Sequence, residues 1–222
     1  MLAFRTGRQL NSAMDHCAIS ANAFHKGADG YREKFMDLTL YDYSYREFCE
    51  LLPRGRARVL DAACGPGNVS RYLAAQRPDL DLLGIDLAPR MLELAREAVP
   101  SAQFVVHDCR KVADLNRHFE GIICAFGLPY LSREEATAFI QADGRALELG
   151  GALYLSTMLG PKEDSGFHRC SNGDQVDITY YSEEEVIRSL QQCGFTVLRQ
   201  WRMPSPSAAS KATTYLFVLA RK

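Results

Sequence analysis

Three carboxylates and a glycine pair have the types and the spacing to build one ligand site. Gly65-Pro66-Gly67 follows a short apolar run and opens a helical pattern. Backbone must approach a ligand closely at such a place, and a helix N-terminus offers its unpaired N–H groups there. Asp61 lies four residues before the first of these glycines. A carboxylate in that position repels a pyrophosphate and attracts the ammonium of an amino-acid ligand, directly or through water. Asp86 ends the next apolar run, about 20 residues beyond the loop, where an acidic side chain accepts both hydroxyls of a ribose in an open α/β sheet. The plainer reading of Asp86 is a cap for the helix that follows it. Asp108 ends a third run beside Cys109 and is placed to accept the exocyclic amine of an adenine, with Leu87 offering the ring an apolar surface.

These residues need strands to carry them to one edge. Arg58–Ala63, Asp81–Asp86, Gln103–Asp108, Gly121–Phe126 and Ala152–Met158 read as five short apolar strands. Helical patterns separate them over Asn68–Gln76, Pro89–Ala98 and Arg133–Leu149, the last stopped by Gly150-Gly151. Continuous apolar strands divided by helices mean a parallel sheet covered on both faces, and ligands in such sheets bind beyond the carboxyl ends of the strands. Ser182 caps a further helix, Glu183–Cys193, whose first turn is acidic and which Gly194 ends. Phe195–Met203 and Thr213–Ala220 then pair antiparallel at one edge of the sheet.

Two segments fall outside that rhythm. Residues 15–52 read as two or three aromatic-rich helices forming a cap, entered from a patternless stretch, 1–13, that is expected to be disordered. Residues 166–181 contain Asn172-Gly173 between strand-like residues, the signal of a two-stranded arm. Cap and arm together are expected to form the mouth of a substrate site. The chain thus reads as one domain, with the core over 57–222.

Val59-Leu60-Asp61-Ala62-Ala63-Cys64-Gly65-Pro66-Gly67, Gly84-Ile85-Asp86-Leu87-Ala88 and His107-Asp108-Cys109 together resemble the first motifs of the class I S-adenosylmethionine-dependent methyltransferases of small-molecule type. The resemblance follows the element order from about Val59 to Ala220. It implies an α/β, three-layer Rossmann-like sandwich around a seven-stranded, mostly parallel sheet whose last strand is antiparallel. It also implies S-adenosylmethionine as cofactor, contacted by Asp61, Ala63, Cys64, Gly65, Gly67, Asp86, Leu87, Asp108 and Cys109. Ala125 and Phe126, ending the fourth strand, would flank the cofactor, and Tyr31 of the cap would close over it. The expected activity is methyl transfer to an O, N or C atom of a small molecule. A dinucleotide-dependent oxidoreductase is disfavoured, since Ser70 stands where that fingerprint needs a third glycine and Asp61 opposes a pyrophosphate. A methyltransferase-like domain that binds without catalysis is the other alternative, as is a protein or RNA methyltransferase.

The acceptor is narrowed by exclusion. Ala125-Phe126-Gly127-Leu128-Pro129-Tyr130 lacks the Asn or Asp before Pro-Pro that exocyclic base methylation uses, and no Pro-Cys pair serves cytosine C5 chemistry. Cys124, inside a strand, is a packing residue. His25, His168 and Tyr130 are the catalytic candidates by location, with His107 beside them, and Tyr154, Tyr180 and Tyr181 are further candidates for an apolar pocket. Net charge is −1, with 26 basic and 27 acidic residues interspersed, which argues against a nucleic-acid partner. Seven scattered cysteines without a Cys-x-x-Cys pair argue against a metal site, and their odd count and the lack of a signal peptide point to the cytoplasm. No apolar stretch is long enough to span a membrane, and a monomer or homodimer is expected.

Overall fold

Alternate residues of the central strands point to two different cores, and that alternation builds the layers. The computed structural model describes residues 15–170, 173–207, 209 and 211–222. The expectation for 1–13 and the Asn172 half of the arm's turn lie outside the described residues.

The parallel strands are β1 (Arg58–Ala62), β2 (Asp81–Asp86), β3 (Gln103–Val106), β4 (Phe119–Ala125) and β5 (Leu147–Leu159). With β8 (Thr196–Pro204) and β9 (Thr214–Arg221) they form one seven-stranded sheet in the order β3-β2-β1-β4-β5-β9-β8. β9 runs antiparallel to both β5 and β8. Leu60, Ala62, Ile122 and Cys124 pack toward α5 (Arg133–Ala146) and α6 (Glu183–Gln192). Val59 and Ile123 pack toward α2 (Asp42–Leu51) and α3 (Asn68–Gln76). Both faces are therefore buried, the arrangement a parallel sheet requires. The result is the three-layer Rossmann-like sandwich with an antiparallel last strand.

Element ends depart furthest from the sequence reading around β5 and β3. The helix after Tyr130 stops at Ala146, and Gly150-Gly151 lies inside β5 instead of ending that helix. β5 pairs with β4 at Phe119↔Leu147 and resumes at Gly121↔Ala152, so residues 148–151 are looped out as a bulge. Gly150 turns the bulge with φ +78°, and Leu149 at its tip is exposed. β3 ends at Val106, because the Asp108 side chain accepts from the Arg110 N–H and caps a 3-10 turn there.

The cap divides by role. α1 (His16–Phe35) crosses the carboxyl edge and packs on α4 (Pro89–Ala98). α2 is a face helix: Phe48, Tyr45 and Tyr41 join the core around Tyr154 and Phe217. The arm forms as expected, β6 (Gly166–Arg169) pairing antiparallel with β7 (Gln175–Ile178). It leans on α1, where Ser20 Oγ accepts from the Asp177 N–H at 2.9 Å and His16 Nδ1 meets the Asp177 carboxylate at 2.8 Å.

Candidate functional site

The turn out of β1 is held in left-handed backbone. Ala63 has φ +55°, Gly65 +54° and Gly67 +82°. Gly67 also needs to be small, since a Cβ there would stand 3.1 Å from both Cα and Cβ of Ala95 on α4. The turn is tied to the next strand: Asp86 accepts from the Gly65 N–H at 2.9 Å and from the Ala88 N–H at 2.8 Å. Each carboxylate oxygen thereby spends one lone pair and keeps another. Burial raises the Asp86 pKa.

Asp61 lies beneath the turn, fully buried. Ser70 Oγ donates to its Oδ2 at 2.6 Å, and its Oδ1 has no partner. Burial raises its pKa to about 7, and the charge of Asp86 pushes the same way. Ser70, at the position where a dinucleotide site wants glycine, here anchors the carboxylate.

Above the turn lies a cavity, open on one side. Ala63, Gly65, Asp86, Leu87, His107 and Cys109 form its floor at the ends of β1, β2 and β3. Ala125, Phe126 and Gly127 close it after β4, with Tyr130 and Leu131 beyond them. Phe126 is a second non-glycine residue in left-handed backbone, φ +62°, and its N–H donates to Ser156 Oγ at 2.9 Å. A Cβ on Gly127 would come within 2.5 Å of Cys124 Sγ and 3.0 Å of Ala63 Cβ, so the ends of β1 and β4 are pressed together. Residues held in sparsely populated backbone states cluster at ligand sites, because only a surrounding structure that fixes them offsets their cost.

Ten of the residues singled out from sequence meet in this cavity: Tyr31, Ala63, Gly65, Asp86, Leu87, His107, Cys109, Ala125, Phe126 and Tyr130. Others do not. Cys64 packs with Leu92 and Phe104 below the turn, and Gly67 faces Ala95. Asp108 is turned away, its carboxylate gripped by Arg110 at 2.7 Å. Arg110 also reaches Asp15 at 2.8 Å and Glu135 at 2.6 Å, a cluster that pulls Asp108 out of the ligand space. His25 is on the outer side of α1, accepting from the Arg90 N–H at 3.1 Å. His168 sits on the arm, donating through Nε2 to the Asp164 carbonyl at 3.0 Å. Tyr154 and Tyr181 are structural, with hydroxyls bonded to Ser44 at 3.0 Å and to the Leu131 carbonyl at 2.8 Å. Among the described residues the arm supplies none to the lining; it supports α1, which does.

Sequence reasoning missed the inner face of α1. Cys17, Ser20, Ala21 and Phe24 line the cavity at helical spacing, and Met91 of α4 joins them. Their signal was a stripe of small side chains at i, i+3, i+4 and i+7 leading toward Tyr31.

Residues 59–151 match a family model described as a methyltransferase domain. A ubiquinone biosynthesis O-methyltransferase of Xanthomonas oryzae pv. oryzae is 36% identical over 158 residues, covering 69% of this chain and 63% of that protein. A demethylmenaquinone methyltransferase of Thermotoga maritima is 32% identical over 104 residues, covering 47% and 44%. The chain thus spans less than two thirds of the length of these curated relatives. Among solved structures, the magnesium protoporphyrin IX methyltransferase of Synechocystis PCC 6803 with bound S-adenosylmethionine aligns with a TM-score of 0.69. That alignment covers 96% of this chain and 99% of the other at 20% identity. The N-methyltransferase NodS of Bradyrhizobium japonicum aligns at 0.67, over 94% and 99%, also at 20% identity. These neighbours share the fold with this chain. Motif order, sheet order and the matched segment agree: residues 59–151 match the methyltransferase domain family, and the chain has the fold of S-adenosylmethionine-dependent methyltransferases.

Proposed function

We infer that the protein transfers a methyl group from S-adenosylmethionine to an O, N or C atom of a small-molecule acceptor. The observation that carries this reading is the pair of acids at the glycine turn. A buried carboxylate oxygen without a partner is costly unless a ligand satisfies it. Asp61 Oδ1 is such an atom, and an amino-acid ammonium is its natural complement. Asp86, already locking the turn, keeps one acceptor site on each oxygen for a pair of vicinal hydroxyls. Leu87 and Cys109 offer the apolar surface an adenine needs, and Ala63 and Gly65 bring backbone to the ligand. Tyr31, on α1, is the closing residue. Asp108 leaves this set as a direct ligand and acts through Arg110 on the N-terminus of α1. Cys64 and Gly67 shape the turn from below.

When bound, the cofactor supplies a methyl group already joined to its leaving group. The chain's own task is then to align the acceptor and to exclude water. α1 covers the floor and does the second. The rings at the β4 end do the first. Relatives named for ubiquinone and menaquinone biosynthesis support a small-molecule acceptor.

Isothermal titration with S-adenosylhomocysteine tests the reading. Saturable binding is expected, and its absence at millimolar ligand removes the proposal. Asp86→Ala should weaken binding by about 1–3 kcal/mol, the cost of leaving buried hydroxyls without their acceptor.

A further inference from the structure

Beyond the end of β4 the cavity leaves the acidic turn and becomes aromatic. Phe24 of α1 meets the Tyr130 ring edge-on at 4.8 Å between centroids, and the Tyr31 ring edge-on at 5.9 Å. Phe126 adds a fourth lining ring, backed by Tyr215 at 4.7 Å and by Tyr41 at 5.5 Å. Three tyrosine hydroxyls have protein partners: Tyr43 in Met203, Tyr154 in Ser44 and Tyr181 in Leu131. The hydroxyls of Tyr31, Tyr41, Tyr130 and Tyr215 have none among the described residues. Tyr41 and Tyr215 are more than nine-tenths buried. Burial raises Tyr31 and Tyr215 to about 12 and raises Tyr130 as well, so these phenols stay protonated and can donate.

Charge narrows what fits beside them. Among the described lining residues the one carboxylate is Asp86, and none is Lys or Arg. An acceptor carboxylate entering here would lose water next to a like charge with no cation to compensate. A flat ring faces no such penalty. It packs edge-to-face on phenyl rings, and an oxygen on it receives the phenol hydrogen bonds that the protein leaves unmade.

We propose that Phe24, Phe126 and Tyr130 form the acceptor subsite and that it takes an uncharged aromatic ring bearing a hydroxyl group. The inference rests on the methyltransferase reading and deepens it. Tyr130 is the specificity-determining residue, donating to an oxygen on the acceptor ring, and Tyr31 stands where cofactor and acceptor meet. The acceptor oxygen bonds to the methyl carbon, the carbon–sulfur bond breaks with its electron pair left on sulfur, and the hydroxyl proton passes to water. No carboxylate or imidazole of α1 or of residues 128–131 lines the cavity to take that proton. The carboxylate and imidazole that do line it belong to the floor: Asp86, bonded to the Gly65 and Ala88 N–H groups, and His107, whose Nε2 donates to the Lys111 carbonyl.

The test begins with calorimetric titration of S-adenosylhomocysteine into the full chain. Catechol, tricarballylate and ethanolamine are then titrated separately into that complex. Catechol should bind with a Kd at least about tenfold below the other two, a gap of about 1.4 kcal/mol. Tyr130→Phe should weaken catechol several-fold while the affinity for S-adenosylhomocysteine holds, and Phe24→Ala should weaken catechol through lost ring contact. Tricarballylate or ethanolamine equalling catechol, no saturable catechol binding, or an unchanged catechol Kd in Tyr130→Phe would overturn the acceptor assignment and leave the cofactor reading standing. No binding of S-adenosylhomocysteine would remove both.

Discussion

Asp61 is satisfied on one oxygen and unsatisfied on the other, and in the proposed function a ligand ammonium completes it. Its pKa in the folded, ligand-free protein is raised by burial to about 7. Folding therefore strengthens proton binding there. The stability tied to this group is full below the ordinary carboxylate range and is lost as pH rises through about 7. A bound ammonium reverses the balance by favouring the carboxylate. The rise in melting temperature on adding S-adenosylhomocysteine should be larger at pH 8 than at pH 6, and Asp61→Asn should erase that difference in a thermal-shift series. Asp143 of α5 presents the same physics without a ligand. It is fully buried, neither oxygen has a partner, and burial holds its pKa far above the carboxylate range. Asp143→Ala removes two unsatisfied acceptors and adds a strong helix former, so denaturant unfolding should show a gain of about 1–2 kcal/mol. At this scale local spacing brought Gly65 and Asp86 to the cavity, whereas Asp61 lies buried below its lining. The sequence was not legible for Asp108, because the Arg110 that turns it away is itself held by Asp15 and Glu135, from elements distant in the chain.

The element that decides access is α1. Its inner face is small and aromatic, and its outer fastenings are ionic or polar. Arg110 holds Asp15 at the N-cap, Arg90 holds Asp29 at 2.8 Å, and Lys26 meets Asp174 at 3.0 Å. Exposed pairs of this kind are individually weak and are screened by salt. Arg110→Gln should therefore leave the sheet intact while amide exchange accelerates over 16–24. Dissociation of S-adenosylhomocysteine should quicken several-fold, as stopped-flow measurement would show. If exchange over 16–24 stays at the wild-type rate, Arg110 is no fastening. The strands were readable because buried parallel strands are continuous apolar runs, and α6 because Ser182 and Glu185 form a capping box. The β5 bulge was not. Gly150-Gly151 ends a helix or turns a bulge with equal local plausibility, and pairing with Phe119 and Gly121 decides the matter.

For the whole molecule, the sheet holds the acids and α1 with the arm holds the cover. The sheet's order follows from its alternating pattern, whereas the seating of α1 depends on contacts that no local pattern encodes. The arm is separable in principle, since the Tyr180 N–H donates to Ser165 Oγ at 3.0 Å and brings its two ends together. Replacing residues 166–178 by a Gly-Gly link should preserve the far-ultraviolet spectrum of the sandwich and weaken S-adenosylhomocysteine binding. Equal affinity in that variant would show that α1 seats without the arm.

The hydrogen bond from Asp177 to Ser20 joins residues 157 apart, and it orders events as well as positions. Synthesis delivers α1 before any strand of the sheet, its seat on α4 and the floor of the cavity next, and the arm only after β5. Until α4 and the ends of β1 to β3 follow, a nascent chain carries the stripe from Cys17 to Tyr31 as bare apolar surface open to a chaperone. The cover is fastened from its other side only once the arm has emerged, later than the motif that forms the floor.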